Sequence, residues 1–319
     1  MQRLIAVFTT FLAGLFLSTS LVNPALAASA PPHLPAPKIV KVNDRIYALL
    51  GPMELPNKSN QGYMVNSTLI IGDTGAIIID TGFTDEIGSM LAKRIAKLTK
   101  KPITHVINTH HHGDHSLGNT AFPNAKILSS EQCRKLALET GAEWIATVES
   151  ATGRKFPNTK VITASQTYAQ NSKTDLTING IKMMFWVPES AHTSGDLMIW
   201  LPDDQVLLSG DVMVNQITPN LRDANLKGWV DTLVNAQSLP IKTIVPGHGP
   251  LMSKLESVAM LKRMSSLYDG IAAGVKDGLT DSEIRNKLDL TEWKKLHHFA
   301  EQMGGNINKA YLEIEAASF

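Results

Sequence analysis

The stretch Asn108-Thr109-His110-His111-His112-Gly113-Asp114-His115 constrains this chain more than any other. It follows an apolar strand predicted over residues 105–108, so its side chains leave the carboxyl end of that strand. Alternate residues of an extended segment face one side, which lets His110 and His112 grip one ion. Gly113 then allows a sharp turn that aims Asp114 and His115 at a second ion. Imidazole and carboxylate in this mix suit zinc first, with iron or manganese as alternatives. His111 lies between two ligands, and strand geometry points it away from them.

Two ligands per ion are too few, so the rest of the chain must supply more. Three candidates each stand beside a predicted strand end and a glycine: His192 in Ala191-His192-Thr193-Ser194-Gly195-Asp196, Asp211 in Ser209-Gly210-Asp211, and His248 in Pro246-Gly247-His248-Gly249-Pro250. Any one alone reads as an ordinary turn residue. All three, in order behind the histidine cluster, read as a site. His33, His105, His297 and His298 have no partner motif and read as structural or surface residues.

The amino terminus reads as an export signal. Arg3 forms a short positive region, residues 4–22 are apolar, and Ala25-Leu26-Ala27 offers a small-x-small cleavage site. A run of this length nearly spans a bilayer, but the Pro-rich residues 30–37 behind that site favour cleavage after Ala27 over a retained anchor. The expected location is the periplasm or the medium, with no stable membrane association after cleavage.

Lys and Arg total 30 against 29 Asp and Glu, and the signal segment over 1–27 carries only Arg3, so the mature surface is charge-balanced. That argues against nucleic acid as a partner, which needs a dense basic footprint, and for a small-molecule substrate. Cys133 is the one cysteine, so no internal disulfide staples the fold; its setting reads as a half-buried helix position.

Periodicity predicts strands at 46–50, 63–65, 68–71, 76–80, 105–108, 126–128, 161–163, 175–178, 182–187, 197–201, 205–208 and 243–245. Helices are predicted at 84–98, 130–148 and 226–237. From Ser253 onward the chain reads as mostly helical, with a start signal at Thr280-Asp281-Ser282-Glu283. Strands lead each half and helices follow, so one compact α/β domain of two sheets flanked by helices is expected. The organisation is a signal peptide over 1–27, a leader over 28–42, a catalytic domain over 43–252 and a C-terminal helical extension over 253–319, packed on the core or carrying a dimer contact.

The order His-x-His-x-Asp-His, His-Thr-x-Gly-Asp, Gly-Asp, Pro-Gly-His-Gly resembles the metallo-β-lactamase superfamily, as does Ile79-Asp80-Thr81-Gly82. The resemblance runs from about Asn43 to Pro250. It implies a four-layer αββα sandwich of two mixed β-sheets, with the site at one edge of the sheets. It places His110, His112 and His192 on a first metal and Asp114, His115 and His248 on a second, with Asp211 bridging both. Asp80 is implied to be a carboxylate behind the ligands that orients the histidine loop.

Two divalent ions bring four positive charges, and Asp114 and Asp211 offset two. A net positive centre of that kind makes hydroxide at neutral pH and polarises a carbonyl or phosphoryl oxygen. The expected activity is therefore dinuclear zinc hydrolysis of a small ester, lactone, thioester or lactam, with Asp114 as proton shuttle. The resemblance narrows this further. True β-lactamases of the superfamily usually carry cysteine or serine where this chain has Asp211, and some carry a drug-anchoring lysine where it has Val214. Asp211 is more like glyoxalase II, lactonases and periplasmic quinoprotein-associated zinc hydrolases. Asp196, where glyoxalase II usually has histidine, and the Asn119 that ends Asp-His-x-x-Gly-Asn favour the last group.

The competing readings are a β-lactamase, a mononuclear iron oxidoreductase like the superfamily's sulfur dioxygenases, and a non-catalytic metal- or partner-binding protein of a periplasmic respiratory pathway. Residues 52–61 read either as solvated loop or as a flap with Met53 and Leu55 at its tip. The 215–223 loop reads either as solvated loop or as the carrier of a carboxylate clamp, Arg222.

Overall fold

The computed structural model describes residues 33–318, so the expected signal peptide and its cleavage site lie outside the described residues. The first sheet runs in chain order: β1 (Lys38–Lys41), β2 (Ile46–Leu50), β3 (Ser67–Ile71), β4 (Ala76–Ile79), β5 (Ile103–Ile107), β6 (Lys126–Ser130) and β7 (Gln166–Tyr168). It is antiparallel up to β4 and parallel from β4 to β7. The parallel half needs crossovers, and α1 (Asp85–Leu98) and α3 (Glu131–Thr152) supply two of them. A single helical turn, α2 (Gly113–Ser116), sits between β5 and β6.

The second sheet is an antiparallel meander of β8 (Ser172–Ile178), β9 (Ile181–Val187), β10 (Met198–Leu201) and β11 (Val206–Gly210). It is closed by β12 (Thr243–Pro246) parallel to β11. The crossover to β12 is α4 (Leu226–Ala236), and the chain ends in α5 (Lys254–Lys276), α6 (Asp281–Lys287) and α7 (Phe299–Ala316).

Strand alternation explains the layers. Along β10, Ile199 and Leu201 face the first sheet and join Ile46, Ile77, Ile107 and Phe185 in the core between the sheets. Met198 and Trp200 face the other way and pack with Trp229, Met264, Leu267 and Ile307 of the helices. On the opposite flank Leu69, Ile78 and Val106 meet Ile87, Leu91 and Ile95 of α1. The result is the expected order of helix, sheet, sheet, helix. The C-terminal helices share a core with the outer face of the second sheet.

Local signals set the helix ends. Thr84 and Ser130 cap α1 and α3 with their hydroxyls, and Thr280 and Glu283 form the reciprocal capping box of α6.

Two predicted strands are absent. Residues 63–65 are irregular although Tyr63 and Val65 are fully buried. This segment serves the second half of the molecule instead: Asn66 donates from its backbone to the Gly247 carbonyl and from its side chain to the Pro246 and Gly249 carbonyls. Residues 161–163 also form no ladder. Val161 packs into the space that Gly141 leaves on α3, and the Ile162 carbonyl accepts from the Asn119 side chain. Edge strands β1 and β7 carry too little alternation to be read in advance. Cys133 proves fully buried rather than half-buried, and burial pushes its thiol up to about 12, which leaves it inert.

If the C-terminal helices belong to the cooperative unit, Ile307→Ala should cost about 2–5 kcal/mol in urea denaturation. The half-exposed Leu312→Ala on the same helix should cost less than about 0.5 kcal/mol. Equal midpoints for the two variants would show α7 to be an appendage.

Candidate metal centre

Strand ends aim the candidate ligands at one edge of the sandwich. Beyond β4 comes Asp80, beyond β5 the histidine run, beyond β11 Asp211 and beyond β12 His248, while His192 sits in the turn between β9 and β10. The ligand atoms of His110, His112 and His192 lie within 4.8 Å of one another, and so do those of Asp114, His115 and His248. Asp211 reaches both groups: Oδ1 is 3.3 Å from His115 Nε2, and Oδ2 is 3.6 Å from His192 Nε2 and 3.4 Å from His248 Nε2. The structure thus brings together all seven residues singled out in the sequence, each buried to within a tenth of full burial.

The donor set fits cations. His112 Nδ1 and His192 Nε2 face each other at 3.1 Å, and His115 Nε2 and His248 Nε2 at 3.3 Å. His110 Nε2 and Asp211 Oδ1 are buried with no hydrogen-bond partner. Buried polar atoms are nearly always partnered, so lone pairs converging in this way mark places for positive ions. The opposite ring nitrogens are mostly held. Asp80 Oδ2 is 2.8 Å from His115 Nδ1, Asp223 Oδ2 is 2.9 Å from His112 Nε2, and His248 Nδ1 donates to the Met64 carbonyl at 3.1 Å. Such outward partners fix ring orientation and tautomer. Asp80 also accepts from the Thr109 backbone and hydroxyl, at 2.8 and 2.7 Å, and so braces the start of the histidine run.

Glycine is required where the two halves of the site meet. A Cβ on Gly247 would stand 1.9 Å from Asp211 Oδ1, and Gly249, at φ +85°, would put one 1.9 Å from the Asn215 carbonyl oxygen. Gly113 acts differently from expectation. It has no left-handed backbone; it opens α2, and a Cβ there would meet Phe83 and Trp144 at 2.6 Å. Close packing, not a special turn, is what residue 113 needs.

The charges divide the site. Burial, reinforced by neighbouring histidines, holds His110 well below the ordinary imidazole value and pushes His192 down to about 3. Burial opposes charging His115 and His248 too, yet Asp114 and Asp211, joined at His115 by Asp80, hold His115 well above its ordinary value and raise His248 to about 10. In return, and against burial, those two histidines keep Asp114 and Asp211 below the usual carboxylate range. Asp196 is pushed up by burial to about 7, while its carboxylate accepts from the Thr193 backbone and hydroxyl and shapes the His192 turn.

A cleft of about 160 Å³ opens over the candidate ligands. Met53, Leu55 and Pro56 line it, as the flap reading expects, with Phe83, Trp144 and Trp229. Arg222 also lines the cleft but is no free clamp. Its guanidinium donates twice to Asp223 Oδ2, at 3.1 and 3.0 Å, and lies 4.5 Å over the Trp144 ring. Asp223 in turn holds His112, so Arg222 braces a ligand rather than awaiting a substrate.

Sequence reasoning missed Asp223, Trp144, His298 and Gln302. Asp223 acts on a histidine 111 residues away, and no local pattern marks it. His298, read as structural or surface, lines the cleft with Gln302. His111 does not simply point away: one of its ring nitrogens lies within 4.8 Å of ligand atoms of His112 and Asp223. It is buried, its Nδ1 has no hydrogen-bond partner, and burial pushes it down to about 3.

Comparison with known proteins places these features. Residues 60–248 match the family model described as the metallo-beta-lactamase superfamily. The chain is similar to a linear primary-alkylsulfatase of a Pseudomonas species, 26% identical over 262 residues, covering 70% of this chain but 49% of that protein, about half its length. A Bacillus metallo-beta-lactamase type 2 is 26% identical over 208 residues, covering 62% of this chain and 72% of the relative. Among solved structures, a metallo-beta-lactamase from Pontibacter korlensis shares the fold with a TM-score of 0.57 at 22% identity, covering 72% of this chain and 99% of that one.

Two outcomes test the centre. Asp80→Ala frees His115 Nδ1 and the Thr109 amide, and should weaken zinc affinity about 10- to 100-fold in competition with a chromophoric chelator. Cations must also displace protons from His115 and His248, both of which the neighbouring carboxylates hold above the ordinary imidazole value. Zinc affinity should therefore climb steeply between pH 6 and 8, up to about a hundredfold per unit if both protons leave. A flat profile would contradict the protonated pair.

Proposed function

The chain belongs to the metallo-β-lactamase superfamily, and from that membership we propose that it is an exported dinuclear zinc hydrolase of small esters, lactones, thioesters or lactams. The observation that carries the proposal is the inward convergence of two ligand groups with Asp211 within reach of both. Bound divalent ions would supply a nucleophile from water at neutral pH and polarise the scissile carbonyl.

The chain's own residues account for the rest. Asp114, which lines the cleft and stands 3.2 Å from His248 Nε2, takes a proton from the attacking water and returns it to the leaving group. Phe83, Trp144 and Trp229 give the cleft apolar walls that keep bulk water from the reacting atoms and strengthen every charge interaction there. Aspartate at 211, in place of cysteine or serine, favours ester-type substrates over β-lactams. Export rests on Arg3, the apolar run behind it and the Ala25-Leu26-Ala27 site.

Elemental analysis of protein from its natural compartment should find about two zinc per chain; a single iron with oxygen uptake would instead establish an oxidoreductase. Asp211→Ala should abolish turnover and halve the bound metal, and full occupancy with turnover would refute a bridging role. Assay against carboxylic esters, thioesters, lactones, alkyl sulfates and β-lactams should give turnover on the neutral acyl substrates first. A preference for alkyl sulfates would move the chain toward the activity named for its Pseudomonas relative.

A further inference from the structure

The cleft is completed by a part of the chain beyond the 60–248 stretch that matches the family model. At the start of α7, His298 adopts a left-handed backbone (φ 62°), and its Nε2 donates to the Met53 carbonyl at 2.7 Å, tying the flap to the helix. Gln302, one turn on, faces the same cleft. The helix also grips the 215–223 loop. Thr218 donates to the His297 carbonyl and His297 to that of Gln216, both at 2.9 Å. Buried Asn306 donates to the Pro219 carbonyl at 2.8 Å and accepts from the Leu221 amide at 3.0 Å. Flap, loop and α7 thus form one tied rim around the opening.

That rim carries little charge for a ligand. Apart from the seven ligand candidates, Arg222 is the one permanently charged side chain among those lining the cleft, and Asp223 occupies it. The remaining wall is apolar (Met53, Leu55, Pro56, Val214, Ile217) with neutral polar groups from Thr218, Asn220 and Gln302. An anionic group at the far end of an acyl chain, lying on that rim away from the candidate ligands, would lose its water without finding an unpaired cation, whereas a neutral apolar one gains from burial.

Resting on the hydrolase reading above, we propose that His298 and Gln302 are specificity-determining residues that restrict the site to neutral, apolar acyl groups and set their length. His298 holds the flap at its working distance, and Gln302 closes the end of the space between flap and loop.

The test uses the full zinc-loaded chain and p-nitrophenyl acetate, butyrate, hexanoate and octanoate, with the anionic mono-p-nitrophenyl adipate as charge control. Wild type should favour hexanoate over adipate by about tenfold or more in kcat/KM. Gln302→Ala and His298→Ala should each raise the octanoate-to-acetate ratio of kcat/KM by about tenfold, through KM and with metal content unchanged. Gln302→Trp, which fills the space, should lower the same ratio. Unchanged ratios, a uniform loss across all lengths, or preference for the adipate would overturn the proposal. Should no ester turn over, the ester branch of the hydrolase reading fails by itself. The rim is then read from quenching of Trp144 and Trp229 fluorescence by butanamide and hexanamide: a selective gain for hexanamide in Gln302→Ala upholds the length limit, and equal affinities in wild type and variant discard it.

Discussion

Everything in this molecule is arranged around one electrostatic constraint: five imidazoles and two carboxylates must share a buried volume with their lone pairs pointing at one another. Burying polar atoms without partners is costly, so the fold supplies a partner to nearly every ring nitrogen that faces outward and leaves the inward ones for cations. Asp80 on His115, Asp223 on His112 and the Met64 carbonyl on His248 are that supply. Each also prevents rotation of the ring it holds, so the convergence survives thermal motion.

The two sheets make this arrangement possible because their parallel strands end at the same edge. Loops leaving β4 and β5 carry Asp80 and the histidine run, and loops leaving β11 and β12 carry Asp211 and His248. Asn66, just before β3 of the first sheet, bonds across to the Pro246–Gly249 turn and locks the two edges together. Glycine at 247 then allows the His248 turn to approach Asp211 more closely than any side chain would permit.

The outer helices extend this bracing. Through Asn306, α7 fixes the loop that leads to Arg222 and Asp223, and Asp223 fixes His112. A helix on the far layer is therefore mechanically continuous with a candidate ligand, and its first turn forms part of the cleft wall. Packing of α5 and α7 on Met198, Trp200 and Trp229 makes the cleft and the core a single structure.

The histidine run and the alternation of helix and strand could be read from the chain alone, because both are local; His192, Asp211 and His248 stood out only by their order behind that run, which resembles the superfamily's. His110 and His112 are two residues apart, strand faces repeat every second residue, and hydroxyl caps such as Thr84 and Thr280 sit beside the helices they start. What tertiary structure alone decided is who stands behind each ligand and what closes the cleft. His112 meets Asp223 across 111 residues, and the flap meets His298 across 245. Neither partner differs in its local pattern from any surface aspartate or histidine. Tyr63 and Val65 show the same limit from the other side: their burial was legible as strand-like hydrophobicity, but whether that backbone paired in a ladder or held the His248 turn depended on a segment about 180 residues away, which no window of sequence contains.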